Sequence, residues 1–439
     1  MSGAVHEAAN LNAAGLGAHP GAAAQQVPQS VLPFCAGLLF SGRTMFVMVT
    51  ARWLNVGTDS GVLAGFALAA GLALVAILGV FGSRDDAGGT IGTSRPLRWA
   101  ILYLAFSGCS LFWTASVSVG SSALYWFSLV GDVGLVILLV RGAGSHQAAR
   151  SILKGYIAGS CALAAVAWMM PAAADLRLGD ADYFNTNQIG NLCALAVLMC
   201  GFLAARGDVV WRIVPWFLGI TLLRSLSKAT LAAFVVCLLY RFLCDASIPR
   251  RKKWLLASST VVLTLGFWSL LSAYYNVYTT AGNQAETLTG RTAIWAWTLD
   301  ASLKTPWFGN GFDAMWKVAP PFGSGLYEAR HAENELLQQF FAYGLCGVVL
   351  LIGIYGSLYR RIRALPRGPE RAALTAFLIY VAIRGLAEAE PFDLLLPLWL
   401  LTAFALLLAQ SRQAQSAMRT DVAISAGFGV LPGTLKGST

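Results

Sequence analysis

The chain has 439 residues, of which 57% are hydrophobic and only 12% charged. A soluble domain carries about 25% charged residues, so this composition excludes a soluble enzyme and implies a protein that crosses a membrane many times. The net charge of +10 reads not as a nucleic-acid surface but as the Lys and Arg excess of inner loops in such proteins.

Residues 1–30 are rich in Ala and Gly and lack a basic start. They bury too little to fold, so a disordered inner tail without a cleavable signal is expected. A membrane-crossing helix needs about 20 mostly apolar residues. Twelve stretches are candidates: 31–50, 61–81, 98–117, 121–140, 152–171, 187–205, 209–223, 226–243, 254–274, 335–357, 372–387 and 392–410. The expected fold class is all-α and polytopic, with about twelve transmembrane helices. Nine lie in residues 31–274 and three in 334–411, and residues 412–439 form an inner tail.

Charge placement agrees with that count. With both termini inside, every inner loop is basic, and these loops and the C-terminal tail hold 21 of the 31 Lys and Arg residues. Arg84, Arg95 and Arg98 occupy the first inner loop; Arg360, Arg361, Arg363, Arg367 and Arg371 occupy the last. The positive-inside rule then fixes the orientation. The eight Cys residues lie in or beside apolar runs without a CxxC pair, which marks them as small buried hydrophobes.

One outer segment, residues 275–333, is much longer than the others. Long loops of mixed composition are usually functional. Within it, residues 291–304 place Ile294, Trp295, Leu299 and Leu303 near helical spacing behind Thr289-Gly290, which predicts a short amphipathic helix at the outer surface. The run Lys304-Thr305-Pro306-Trp307-Phe308-Gly309-Asn310-Gly311 then reads as a turn-rich break.

Candidate chemistry gathers on this outer side. Arg224, Lys228, Arg291, Arg330 and Arg384 project toward it. One such cation would ordinarily snorkel or anchor the interface. Five around one loop point to phosphate or diphosphate, which guanidinium forks and helix N-termini bind well. Of the four His residues, His331 alone falls outside, and an imidazole suits a general base. Glu333 could act as base or orient His331. Asn334 reads mainly as a helix cap. Arg384 and Glu388 stand at i,i+4, which fits a helical ion pair or, in a membrane protein, a functional pair. Arg43 and Asp132 fall mid-span and are candidates to pair.

Three segments resemble the bacterial O-antigen ligase and O-antigen or exopolysaccharide polymerase family. The first is Glu333-Asn334, nine residues and then Gly344-Leu345-Cys346-Gly347, similar to that family's His-Asn, nine residues, Gly-x-x-Gly pattern. The second runs from Leu288-Thr289-Gly290-Arg291-Thr292-Ala293-Ile294-Trp295 to Pro306-Trp307-Phe308-Gly309-Asn310-Gly311-Phe312, and the third is Ser225-Leu226-Ser227-Lys228-Ala229-Thr230-Leu231. Asn185-Thr186-Asn187-Gln188-Ile189-Gly190-Asn191 and Arg384–Glu388 agree as well, and the likeness covers about 180–411.

The resemblance implies an inverting, metal-independent glycosyltransferase of the GT-C type in the bacterial inner membrane, with no cofactor. Its donor would be a saccharide on undecaprenyl diphosphate, used at the periplasmic face, and its acceptor a saccharide or lipid A–core. Membrane lipids, chain-length regulators and flippases are the implied partners, and nucleic acid is not. Arg291, Lys228, Arg224 and Arg330 would hold the diphosphate, His331 or Glu333 would be the catalytic base, and Arg384, Glu388 and Asn334 would support them.

Two positions depart from the family pattern. Glu333 stands where the ligases have His, and Lys228 stands where Arg is usual. The His-Ala-Glu-Asn form favours a repeat-unit polymerase over an O-antigen ligase or a protein O-glycosylating relative. A lipid-linked saccharide flippase is the reading from a different class; it predicts an internal repeat, and no convincing repeat is seen.

Overall fold

Residues 20–82, 94–170, 178–179, 184–205, 212–244, 249–266, 268–269, 272, 288–322 and 328–409 are described in the computed structural model. The expected inner tails outside this set (1–19 and 410–439), Arg84 and residues 273–287 and 323–327 of the long loop lie beyond it. The described part is helical: α1 Pro20–Met48, continued by a π turn to Trp53, α2 Thr58–Gly82, α3 Arg95–Cys109, α4 Val119–Ala143, α5 Ser145–Met169, α6 Thr186–Ala205, α7 Val214–Ser225, α8 Lys228–Cys244, α9 Arg250–Gly266, α10 Leu288–Lys304, α11 Glu335–Arg363 and α12 Pro369–Arg384. A last helix, α13, spans Leu398–Ala409.

Each of the twelve apolar stretches contains a helix. Among the described residues, six segments are long and apolar enough to cross a membrane: Ser30–Trp53, Thr58–Leu78, Val119–Ala143, Ser145–Met169, Thr186–Ala205 and Glu335–Arg363. The others are shorter; α3, with 15 residues, rises about 22 Å at 1.5 Å per residue, less than the roughly 30 Å apolar core of a bilayer. The first helix begins earlier than expected, at Pro20. Residues 22–27 (AAAQQV) are mostly good helix formers, and Pro suits a first helical turn.

The helices pack in pairs: α1 along α5, α2 along α4, α6 along α7 and α8 along α12. A Cβ at Gly37 would strike the backbone of Ile152, and one at Gly155 the backbone of Phe34. These glycines let α1 and α5 approach closely, the small-residue packing that membrane helices favour. The pairs enclose one large buried core that α13 enters with Leu400, Leu401, Phe404 and Leu407. Arg43 on α1 and Asp132 on α4 form an ion pair inside this bundle, as their mid-span positions suggest.

The loop helix forms as α10, but its buried face differs from the predicted stripe. Ile294, Thr298 and Ser302 are buried, whereas Leu299 and Leu303 are exposed. The two hydroxyls satisfy themselves on their own helix, Thr298 Oγ1 donating to the Ile294 carbonyl at 2.7 Å and Ser302 Oγ to the Thr298 carbonyl at 2.6 Å. A face of short side chains lets α10 lie close against α11.

Candidate active site

The segment between α10 and α11 is held by a backbone clasp. Helix α11 is broken at Gly344, with φ 63° and ψ −154°, a region essentially reserved for Gly. The break frees the carbonyls of Phe341 and Ala342 and the N–H groups of Leu345 and Cys346 from their helical partners. The turn after α10 takes them up. Asn310 and Gly311 donate their N–H groups to Phe341 and Ala342 at 2.9 and 2.8 Å, and Leu345 and Cys346 donate to Pro306 and Trp307 at 2.8 and 3.3 Å. A Cβ at Gly344 would strike the Trp307 backbone, and one at Gly309 the backbone of Tyr343. The Trp-Phe-Gly-Asn-Gly run and the first glycine of the Gly-x-x-Gly run are thus two halves of one joint.

Residues 330–335 are braced from several directions. Ala332 N–H donates to Gln338 Oε1 at 2.9 Å, Trp295 Nε1–H to the Glu333 carbonyl at 3.2 Å, and Glu335 N–H to the Gly385 carbonyl at 2.9 Å. Asn334 caps α11 as expected: its Oδ1 accepts from Leu337 N–H at 3.0 Å, and its Nδ2 donates to the Leu386 carbonyl at 3.1 Å. Glu333 is 7% exposed and has φ +52°, a left-handed conformation costly for a residue with a Cβ. Such strain persists where the surroundings impose it and clusters at functional sites.

The side chains converge on Glu388, in the loop after α12. Arg291 Nη2 lies 3.0 Å from Glu388 Oε1 and 3.6 Å from Glu333 Oε2. Asn187 Nδ2, on the first turn of α6, donates to the same Glu388 oxygen at 3.0 Å. Ser227 Oγ, between α7 and α8, donates to Asn187 Oδ1 at 2.7 Å. Arg384 Nη2 lies 3.9 Å from Glu388 Oε2, and its Nη1 3.5 Å from Glu390. His331 Nδ1 stands 4.0 Å from Glu333 Oε1 and accepts the Glu333 N–H at 3.3 Å, an arrangement that leaves the Nε2 of a neutral imidazole as the proton donor.

Burial, and after it the negative charge of Glu333, push the Glu388 carboxyl up to about 7, against the pull of Arg384, His331 and Arg291. A carboxyl so tuned changes protonation near neutral pH, where a general base works best. Ligand atoms of His331, Glu333 and Glu388 lie within 4.8 Å of one another and could hold a metal ion. The guanidinium of Arg291 already supplies positive charge to both carboxylates.

Of the predicted site residues, Arg291, His331, Glu333, Arg384 and Glu388 form one group, with Asn334 at its edge. Arg330 is set over the Trp316 ring, 5.5 Å from its centroid. Arg224 is half-buried at the end of α7, and Lys228 is exposed at the start of α8. Of the α7–α8 turn, the hydroxyl of Ser227 reaches the group through Asn187. Asn187 and Ser227 stood in the sequence only within the Asn185–Asn191 and Ser225–Leu231 segments of the family resemblance, without an assigned role.

Two comparisons with known proteins bear on this geometry. Residues 213–352 match the family model described as O-antigen ligase. That match spans α7 to the middle of α11 and includes Arg291, His331 and Glu333, while Asn187, Arg384 and Glu388 lie outside it. The chain is also similar to the exopolysaccharide production protein ExoQ of Rhizobium meliloti (strain 1021), with 22% identity over 330 residues, 68% of this chain and 74% of the relative. Both findings support an O-antigen ligase/polymerase family, and the apolar helices agree with a membrane protein.

Proposed function

We propose that the chain is an inverting, metal-independent glycosyltransferase that polymerises surface-polysaccharide repeat units from an undecaprenyl-diphosphate-linked donor. In this reading it is a twelve-span GT-C protein of the bacterial inner membrane, with both termini cytoplasmic and the Glu388 group facing the periplasm. The observation that carries the reading is Arg291 bridging two buried carboxylates, Glu388 at 3.0 Å and Glu333 at 3.6 Å. A cation that can fork onto phosphate oxygens stands beside a base matched to neutral pH.

The step is a single displacement. The hydroxyl oxygen of the acceptor sugar attacks the anomeric carbon from the face opposite the diphosphate, and the carbon–oxygen bond to the diphosphate breaks with its electron pair. The acceptor proton passes to Glu388. Arg291 moves its guanidinium onto the leaving diphosphate, where charge builds, and His331 donates Nε2–H to it. Loss of the Arg291 partner makes the carboxylate a stronger base at the moment the donor is seated. Glu333 holds His331 and Arg291 in register, and Arg224, Lys228 and Arg330 supply further positive charge along the donor's path.

Polymerase is preferred over ligase because the relative with the longer likeness is named for exopolysaccharide production. The matched family description favours the ligase as second reading. Purified protein given a lipid-linked repeat unit in the presence of a metal chelator should build a ladder of longer lipid-linked chains. A single transfer to added lipid A–core, without a ladder, would mean a ligase. Lipid crossing the bilayer without glycosyl transfer would mean a flippase and would sink the enzymatic reading.

A further inference from the structure

Asn187 carries no charge, yet several elements combine to hold it against Glu388. Asn185 and Gln188 close the first turn of α6 as a capping box: Asn185 Oδ1 accepts the Gln188 N–H at 2.9 Å, and Gln188 Oε1 accepts the Asn185 N–H at 3.3 Å. Three residues beyond Asn187, Gly190 leaves a notch for the α7–α8 turn, since a Cβ there would stand 2.9 Å from Ser227 Cβ. That turn is strained, with Leu226 in the left-handed region at φ 58°, and strain of this kind persists where the surroundings impose it. It delivers the buried Ser227 to Asn187.

The hydrogen bonds have one consistent polarity. A carboxylate only accepts, so the Asn187 atom facing Glu388 Oε1 at 3.0 Å is Nδ2. Asn187 Oδ1 then takes the proton of Ser227 Oγ at 2.7 Å. A hydroxyl has a single proton to give, and with that proton on Asn187 the buried Thr230 hydroxyl is the donor in its 2.8 Å contact with Ser227. The row runs from Thr230 through Ser227 and Asn187 to Glu388. At its end the two carboxylate oxygens differ. Oε1 receives Arg291 Nη2 and Asn187 Nδ2, each at 3.0 Å, whereas Arg384 Nη2 stands 3.9 Å from Oε2, beyond hydrogen-bond reach. Oε2 is the oxygen with room for a proton. When Arg291 turns to the leaving diphosphate, Asn187 still engages Oε1.

We infer that Asn187, aligned by Ser227, is a positioning residue for the base: it holds Oε1 of Glu388 so that Oε2 stays turned toward the acceptor hydroxyl after Arg291 has left. The inference rests on the proposed transfer with Glu388 as its base.

Two variants read this role. Asn187→Ala removes a hydrogen bond that favours the ionised carboxyl, and Asn187→Asp keeps the side-chain shape but sets an acid against an acid. The charged and titratable groups facing Glu388 are Arg291 from α10, His331 and Glu333 from the segment before α11, and Arg384 from α12, with Glu390 beyond Arg384; neither variant changes them. The full chain in nanodiscs is given the lipid-linked repeat unit over a range of pH. The rising limb of transfer should move up by about one pH unit in Asn187→Ala, the worth of one hydrogen bond to a charged group, and further in Asn187→Asp. The kcat should fall on the order of tenfold to a hundredfold with the donor KM unchanged, and Ser227→Ala should shift the limb the same way by less. The infrared carboxyl band of Glu388, identified by its loss in Glu388→Gln, should show the same shift without turnover. An infrared midpoint in Asn187→Asp equal to the parent's overturns the positioning role, and this variant decides the matter if Asn187→Ala fails to fold. A shifted infrared midpoint with an unmoved limb, or a raised donor KM with kcat unchanged, overturns it as well. A parent that transfers nothing while the infrared midpoint moves in both variants would overturn the transferase reading and uphold the hold of Asn187 on Glu388.

Discussion

Glu388 receives more of the site's polar contacts than His331 does, and its protonation should set the pH dependence. Its carboxyl is raised from the ordinary 4.5 to about 7, first by burial and then by the charge of Glu333. A base acts when deprotonated, so transfer should rise with pH through about 7 and level off above it. Glu388→Gln should remove both the activity and that limb; a surviving limb of the same midpoint would move the base to Glu333 or His331. Stability has the opposite sign. A folded-state pKa above the unfolded one favours the folded state below pH 4.5, and that contribution is lost as pH rises through about 7. Thermal melts of Glu388→Gln should therefore vary less between pH 5 and 8 than those of the parent. Arg291→Ala leaves two buried carboxylates without their nearest cation, and breaking such a pair costs about 3–5 kcal/mol. Transfer should fall on the order of a hundredfold or more. Adding Glu388→Gln to Arg291→Ala should restore part of the lost Tm and none of the transfer, which double-mutant melts and assays would read directly.

At the scale of elements, the clasp between the turn after α10 and the break in α11 sets where His331 and Glu333 stand. Gly344→Ala places a Cβ against the Trp307 backbone and puts a non-Gly residue at φ 63°, ψ −154°. The backbone conformation alone costs of the order of 1–3 kcal/mol. The variant should melt several degrees lower and lose transfer, while the control Gly356→Ala, on the same helix with no atom near its would-be Cβ, should do neither. Sequence reading recognised the Gly-x-x-Gly pattern only as a likeness, because a joint of four backbone hydrogen bonds leaves no side-chain signature. The α10 helix was legible as a helix, but its inner face was not. Leu299 and Leu303 look like core in a sequence, yet in a membrane protein the lipid is as apolar as the interior, so small Thr298 and Ser302 take the packed face instead.

Across the whole molecule, helix positions were legible because bilayer thickness imposes a length on apolar runs. The site was legible only in part, because its contacts join distant points: Asn187 bonds Glu388 across 201 residues, and Arg291 bonds Glu388 across 97. Nothing local in the α6 stretch announces that Asn187 will face a carboxylate. The proposed orientation, by contrast, rests on charge along one helix. Helix α11 spans 29 residues with its break at Gly344; the stretch after the break, residues 345–363, rises about 28 Å at 1.5 Å per residue, close to the roughly 30 Å of a bilayer core. Its first turn carries Glu335 and its last turn Arg360, Arg361 and Arg363; the proposed orientation puts that basic end in the cytoplasm and the Glu388 group outside. A single cysteine can test this in a background from which the exposed Cys109 and Cys244 have been removed. Trp316→Cys, on the site's side of α11, should react with a membrane-impermeant maleimide in cells whose outer membrane alone is opened. Arg367→Cys, in the exposed turn after α11, should react only after the inner membrane is broken. The reverse order would turn the protein over in the membrane and remove the periplasmic substrate from reach of Arg291.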